Sequence, residues 1–390
     1  MRARAVRVVE AMRHPARVLL LALVPVLLLG GAASARGELS MTTTVAAHRT
    51  APLETFTFVG GGDIALTGDA DPHVFDGIRG HLREGDLVVG NLEGTLTTGG
   101  VPKCSGGAGC FTFRGSPAWA AVLRRAGFNV LNVANNHALD YGVEGQRETL
   151  TSLRDAGLLE QGLPGQVLHV SLRDIRIALI GCAPYGWAQS LLDIAASARL
   201  VRNAARAADV VIVYMHAGAE GSDADHVADA DETYLGESRG NSRAFAHAMI
   251  RAGADLVFGS GPHVLRGIEW YRKRLVVYSL GNLAGTHTLS TAGSLGASAL
   301  LRATLDARGN FRNASVVPLR LAPAGTPVVD TRAEVTTRIR ALSHADFGVR
   351  AVRVSATGRL AAPTILTSGR RASRGRQGRR LASGCGRRAC

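Results

Sequence analysis

The chain has few means of holding a structural zinc or of crossing a membrane. It contains five cysteines among 390 residues, and neither close pair, Cys104/Cys110 or Cys385/Cys390, has the spacing of a zinc ribbon. Both pairs are spaced to close small disulfide loops, which suits an oxidising compartment, while Cys182 follows an apolar run and reads as a buried thiol. The apolar run Val18 to Leu29 is shorter than the roughly 20 residues of a spanning helix. There is no repeat of solenoid period and no nucleic-acid recognition motif. Charge is scarce too, once it is located. Taking the +4 of residues 1–35 and the +8 of residues 368–390 from the formal +14 leaves +2 for the body. The basicity belongs to the ends, so nucleic acid is not an expected partner.

Those ends carry a different message. Arg2, Arg4, Arg7, Arg13 and Arg17 precede the apolar run, and Ala33-Ser34-Ala35 follows it as a small-residue cleavage pattern. This order describes a secretory signal peptide over 1–35, or a signal anchor if it stays uncut, and hence an extracellular or cell-envelope location. Residues 36–54 read as a linker, 55–322 as the folded domain and 323–367 as its C-terminal extension. The Arg/Gly/Ser stretch 368–390 reads as a disordered basic tail, able to touch anionic polymers or lipid headgroups.

Between them, strands alternate with helices. Thr55 to Gly60, Asp86 to Gly90 and Asn129 to Ala134 read as strands, with Gly60-Gly61-Gly62 allowing a sharp turn before Asp63. Helices are expected from Ser116-Pro117 to Ala126, from Val143 to Ala156, from a Ser190 cap to about Ala208, and from an Asn241 cap to Gly253. Val167–Leu172 and Ile175–Ile180 form a hairpin pattern, and Asp209 to His216 is a buried strand. Late strands cover 266–271, 275–280, 299–305 and 311–319. The whole predicts an α/β domain with a mixed sheet covered by helices on its outer faces.

Five apolar runs end in groups able to bind metal or move protons: Asp63, Glu93, Asn136 with His137, His216 and His263. Carboxylates, amide oxygens and imidazoles from separate loops are the donors that hard divalent cations require. Taken singly, Asp63 and Glu93 read more readily as turn or cap residues than as ligands, and a hydrogen-bonded core histidine is a fair rival reading of His216. Asn135-Asn136-His137 makes a poor core segment, and the combination outweighs the single readings. The other nine histidines lack this context.

The blocks Gly62-Asp63-Ile64, Asn91-Leu92-Glu93, Asn135-Asn136-His137-Ala138-Leu139-Asp140-Tyr141-Gly142, His216-Ala217-Gly218, Gly261-Pro262-His263-Val264 and Tyr278-Ser279-Leu280-Gly281-Asn282 follow one another in a familiar order. Over about residues 55–320 the chain resembles the bacterial capsule-synthesis (CapA-type, poly-γ-glutamate) proteins, a branch of the calcineurin-like metallophosphatase superfamily. The resemblance implies a four-layer α-β-β-α sandwich of metallophosphatase type with two mixed sheets. It implies a centre of one or two divalent ions (manganese, iron, zinc or magnesium), with Asp63, Glu93, Asn136, His216 and His263 as ligands and His137 as the catalytic acid. Two departures stand out. The superfamily's D-x-H reads Asp63-Ile64-Ala65, and Ser260 and Gly261 stand where relatives often have histidine.

The function implied is an exported metal-dependent hydrolase acting on a phosphoester or a γ-glutamyl amide in capsule or poly-γ-glutamate metabolism. Its partners would be an anionic polymer and membrane proteins of the capsule machinery. The alternative is a non-catalytic component that holds the polymer. A third reading comes from Gly236-Glu237-Ser238-Arg239-Gly240, which matches the serine-hydrolase elbow G-x-S-x-G, but the acidic residues before it make no apolar strand. Glu237, Arg239 and Asn241 read better as a polar loop ahead of a helix.

Overall fold

The computed structural model describes residues 7–8, 54–106, 109–286 and 288–364. The tail with Cys385 and Cys390 lies outside the described residues. So do most of the 36–54 linker and, apart from Arg7–Val8, the export signal over 1–35.

Two mixed sheets face each other. The first contains β1 (Thr55–Ala65), β2 (Leu87–Leu92), β3 (Val130–Asn132) and β4 (Leu159–Gln161), all parallel. The second contains β5 (Leu168–Leu172), antiparallel to β6 (Ile175–Ala183), then β7 (Val210–His216) and β8 (Leu256–Ser260) parallel to β6. β9 (Ile268–Tyr271) and β10 (Arg274–Val277) close its far edge as a hairpin, with Arg272 and Lys273 both in the left-handed region as a tight two-residue turn demands. The chain then returns to the first sheet. β11 (Asn282–Gly285) pairs with the end of β1, while β12 (Ala297–Asp306) and β13 (Phe311–Leu321) extend its other edge antiparallel.

Alternation along the strands explains the layering. In β7, Val210, Ile212 and Tyr214 join Phe56, Phe58, Leu87 and Phe258 between the sheets. Val211, Val213 and Met215 point the other way, under Val201 of α4 (Ile194–Ala207) and Phe245 and Met249 of α5 (Ser242–Ala252). The first sheet does the same. Leu87 and Val89 face inward, while Val88 meets Leu82 of α1 (Arg79–Arg83), Leu123 of α2 (Trp119–Ala126) and Leu153 of α3 (Gly142–Asp155) on the outer side. Each such side chain contributes roughly 1.5–3 kcal/mol on burial, and the period of two fixes which sheet face it serves. The expected α-β-β-α layering is thus the one observed. Cys182 is buried in β6, where desolvation pushes its thiol up to about 12.

Two expectations need correction, and one helix is additional to those expected. The Gly60-Gly61-Gly62 run does not end its strand. β1 continues to Ala65 through an irregularity between Gly60 and Asp63, because β11 and the residue before it crowd this segment. A Cβ on Gly62 would stand 1.9 Å from the Gly281 carbonyl oxygen, so the glycines serve close approach rather than a turn. Ser190 is not a helix cap. Gln189–Ser190 pairs with β6, and Asp193 caps α4 by accepting from Ala196 N at 2.8 Å. Asn241 does cap α5, accepting from Ala244 N at 2.7 Å, and Gly253 ends it in the left-handed region. Finally, the 323–367 stretch holds an unexpected helix, α6 (Glu334–Phe347), whose Val335, Ile339, Leu342 and Phe347 are buried.

Candidate metal centre

The parallel strands of both sheets end at one place, the usual position for chemistry in α/β proteins. Asp63 lies on β1, Glu93 directly after β2 and Asn136-His137 after β3. His216 ends β7, and His263 follows β8. One donor atom each from Asp63, Glu93 and His216 lie within 4.8 Å of one another, and all three residues are buried. His263 joins them, its Nδ1 3.3 Å from Asp63 Oδ2 and its Nε2 3.8 Å from Glu93 Oε1.

Asp63 is held from every side. Its Oδ1 accepts from Asn91 Nδ2 at 2.8 Å and from the Ser260 hydroxyl, and its Oδ2 from the Gly261 amide at 3.2 Å. The Ser260 hydroxyl in turn pairs with the buried Tyr214 phenol. Asn91 is itself aimed by two amides, Asn132 Nδ2 at 2.7 Å and Asn135 Nδ2 at 3.0 Å on its Oδ1, which leaves its Nδ2 for Asp63 and for His216 Nδ1 at 3.3 Å. Burial opposes the Asp63 charge, but hydrogen bonds and charge from His216 and His263 prevail and hold its carboxyl well below the usual range. On Glu93, burial and the Asp63 charge act in the same direction, and its carboxyl is raised.

Glu93 is the odd member. Both of its carboxylate oxygens, together with His216 Nε2, are buried without a hydrogen-bond partner. An orphaned buried polar group costs about 1–3 kcal/mol. Here the orphans converge, and the Glu93 oxygens are of the type that ligates divalent cations, while the lone pair that a neutral His216 ring offers sits on Nδ1, the nitrogen that accepts from Asn91. The residues therefore fit a metal ion, and the orphaned oxygens are what such an ion would compensate. His263 is prepared in the same sense. Its Nδ1 donates to Asn282 Oδ1 at 2.8 Å, so the lone pair of the neutral ring sits on Nε2, facing Glu93 and, at 3.6 Å, Glu220.

Asn136 and His137 stand to one side, lining a cavity of about 380 Å3 with Glu220 and Arg239. Asn136 Nδ2 lies 3.5 Å from Glu220 Oε1, and its Oδ1 is buried and unpartnered, a further orphan oxygen of a type that ligates cations. The His137 ring stacks on Phe113 at 4.2 Å, and its Nδ1 lies 2.7 Å from Asp140 Oδ2. Asp140 is secured by the Phe113 amide at 2.6 Å and by Lys103 Nζ at 2.7 Å. Burial pulls the His137 imidazole below its ordinary value, and Asp140 partly offsets this.

Glu220, absent from the expected set, links the two halves of the site. Its Oε1 pairs with Arg239 and its Oε2 faces His263 Nε2. Burial raises its carboxyl, but His263 and Arg239 bring it down to about 2. The position carries no periodic signal, and only its place four residues after His216 hinted at the site. The residues 236–240 form part of a hairpin (Glu232–Tyr234 with Glu237–Gly240), not a strand-turn-helix elbow, and Ser238 is exposed while Arg239 and Gly240 are buried. Glu237 and Arg239 line the cavity, but from a strand of this hairpin rather than from the expected polar loop. Cys104 and Cys110, also lining it, are joined as a disulfide.

The fold and the site together define a layered α/β protein with a buried carboxylate-imidazole centre at its strand ends. A family model described as bacterial capsule synthesis protein PGA_cap matches residues 57–286, more than half of the chain, and the chain belongs to that family. It is 26% identical over 230 residues to the capsule biosynthesis protein CapA of Bacillus anthracis, covering 54% of this chain and 53% of that one. It is 29% identical over 226 residues to the PGA biosynthesis protein CapA of Bacillus subtilis, covering 54% and 56%. The chain thus spans about half the length of these curated relatives. Among solved structures, the 5'-nucleotidase precursor of Thermus thermophilus aligns with a TM-score of 0.40 at 13% identity, over 75% of this chain and 59% of that one.

Proposed function

We propose that this chain is an exported, metal-dependent hydrolase of capsule or poly-γ-glutamate metabolism, cleaving a phosphoester or a γ-glutamyl amide. The observation that carries the reading is Glu93, whose two oxygens are buried and unpartnered and whose Oε1 faces both His216 and His263, beside a hydrogen-bonded Asp63. A divalent ion bound there supplies Lewis acidity and an activated water. Asp63, Glu93, His216 and His263 would hold it, with Asn136 and Glu220 alongside. His137 gives its Nδ1 proton to the hydrogen bond with Asp140, so Nε2 is the atom that takes or returns a proton at the cavity wall. Export is supported by the order of basic, apolar and small residues at the N-terminus and by the Cys104–Cys110 disulfide. The family and its capsule-synthesis relatives support an anionic polymer as ligand and membrane proteins of the capsule machinery as partners.

A second reading, a non-catalytic component that holds the polymer, draws on Asp63. Ser260, Asn91 and Gly261 already take three of the about four lone-pair positions of its carboxylate, which leaves fewer donors for an ion. Metal content of the purified protein separates the two. About one or two divalent ions per chain, lost in His216→Ala and Asp63→Asn, with chelator-sensitive cleavage of either bond type, supports the hydrolase. Bound metal with every substrate left intact supports the second reading. No metal under any loading condition overturns the metal centre itself.

A further inference from the structure

The metal centre does not use Arg239, yet this residue is built into the adjoining cavity with unusual care. Of the two cations lining that cavity, Lys103 is partly exposed, whereas Arg239 is only 4% exposed. Its guanidinium stands over two rings, 5.9 Å from the Tyr185 centroid and 5.3 Å from that of Tyr234, so access to its charge is in the plane. One end of that plane is taken, since Nη1 pairs with the buried Glu220. The other edge is loosely filled. Nε is buried without a hydrogen-bond partner, and Nη2 has Glu237 Oε2 at 3.4 Å. The Glu237 side chain is 56% exposed and is free to swing away.

An in-plane pair of N–H groups takes a carboxylate or a phosphate as a fork, and the group that stands at this edge in the structure is a carboxylate, that of Glu237. We propose that the Nε/Nη2 edge of Arg239 is a subsite for a substrate carboxylate, that Glu237 occupies this edge as an internal stand-in, and that the ligand is a carboxylate-bearing chain. The cavity walls suit such a chain. Tyr185 and Trp187 stack at 4.9 Å as an apolar platform, and Trp187 Nε1 donates to Asn135 O at 3.0 Å, tying the platform to the loop that carries His137. The Tyr185 hydroxyl, now 3.2 Å from Glu237 Oε2, becomes a second donor to whatever replaces it. Glu220 bridges Arg239 to His263, so a carboxylate seated here lies one side chain from the metal centre. The identity of that centre as the reacting one rests on the hydrolase reading; the subsite itself does not.

The test is calorimetric titration of the full chain with a three-residue γ-linked glutamate peptide, with the same peptide amidated at its α-carboxyls, and with inorganic phosphate. Arg239→Lys keeps the charge and removes the fork. It is expected to weaken the acidic peptide at least tenfold and to leave the amidated peptide and phosphate unchanged. Glu237→Gln, at an exposed position where folding is not at risk, is expected to tighten the acidic peptide threefold or more. Equal losses for acidic and amidated peptides in Arg239→Lys, a loss confined to phosphate, or a Glu237→Gln protein that binds no tighter would each overturn the subsite. Arg239-dependent binding in a protein that cleaves nothing would leave the subsite standing and the hydrolase reading fallen. Metal-dependent cleavage with wild-type binding in Arg239→Lys would do the reverse.

Discussion

His263 Nδ1 lies 2.8 Å from Asn282 Oδ1, and this one hydrogen bond decides which ring nitrogen faces Glu93. The partner comes from β11, a strand of the other sheet. Asn282→Ala frees the ring to present either nitrogen and is expected to weaken divalent-metal binding about 10- to 100-fold. Asn282→Asp keeps the acceptor and is expected to bind metal close to wild type. Titration with manganese or zinc separates the variants, and equal affinity in Asn282→Ala and wild type would show that the bond does not set the ligand.

Ser260 links the Tyr214 phenol to Asp63. In Ser260→Ala the phenol is left buried without its partner and Asp63 loses a donor, which is expected to cost about 1–3 kcal/mol in urea unfolding. Adding Tyr214→Phe removes the orphan. The double variant should therefore be more stable than the sum of the single costs implies; strict additivity would count against the chain of hydroxyls.

Two glycines make a contrast in backbone packing. A Cβ on Gly62 meets a carbonyl oxygen that belongs to the backbone of Gly281, whereas a Cβ on Gly80, in α1, meets nothing within 4 Å. Gly62→Ala is expected to destabilise by about 3 kcal/mol or more through overpacking, and Gly80→Ala to stabilise by up to about 1 kcal/mol through helix propensity. Thermal melts of the pair suffice, and a tolerated Gly62→Ala would mean that β11 is free to move.

Asp255 sits at the opposite end of the strands, accepting from Val211 N and pairing with Arg274. Burial outweighs both partners and raises its carboxyl from 3.8 to about 6. The folded state therefore holds this proton more tightly than the unfolded chain. The stability it confers is present below about pH 4 and is lost as pH rises through about 6. Measured between pH 4 and 7, wild type should lose up to about 3 kcal/mol relative to Asp255→Asn. A flat difference would remove Asp255 from the pH dependence.

The strand-end residues Asp63, Glu93, His216 and His263 were legible because each follows an apolar run, and runs of that kind fix both the element and the end that carries chemistry. The layering was legible for a related reason, since β7 repeats its two faces strictly. Glu220 and Arg239 were not, because the 218–240 segment has no period and their pairing is made across a loop and a hairpin. The triple glycine misled, since glycine permits a turn and a close approach alike, and only β11, far along the chain, decides between them. The helix α6 escaped because its buried positions are interspersed with threonines and arginines, and the apolar stripe is too broken to stand out before the sheet edge it covers is known.

The centre draws Asp63 and Glu93 from one sheet and His216 and His263 from the other, with positions 200 apart in the chain meeting at a single point. Neither sheet alone carries the set. Ion capture by this set would therefore report the docking of the two sheets rather than the formation of either, and would wait until the later strands of the chain are in place. Any stabilisation by the ion accrues to the finished fold and to no intermediate short of it, so metal retention would serve as a gauge of completed assembly.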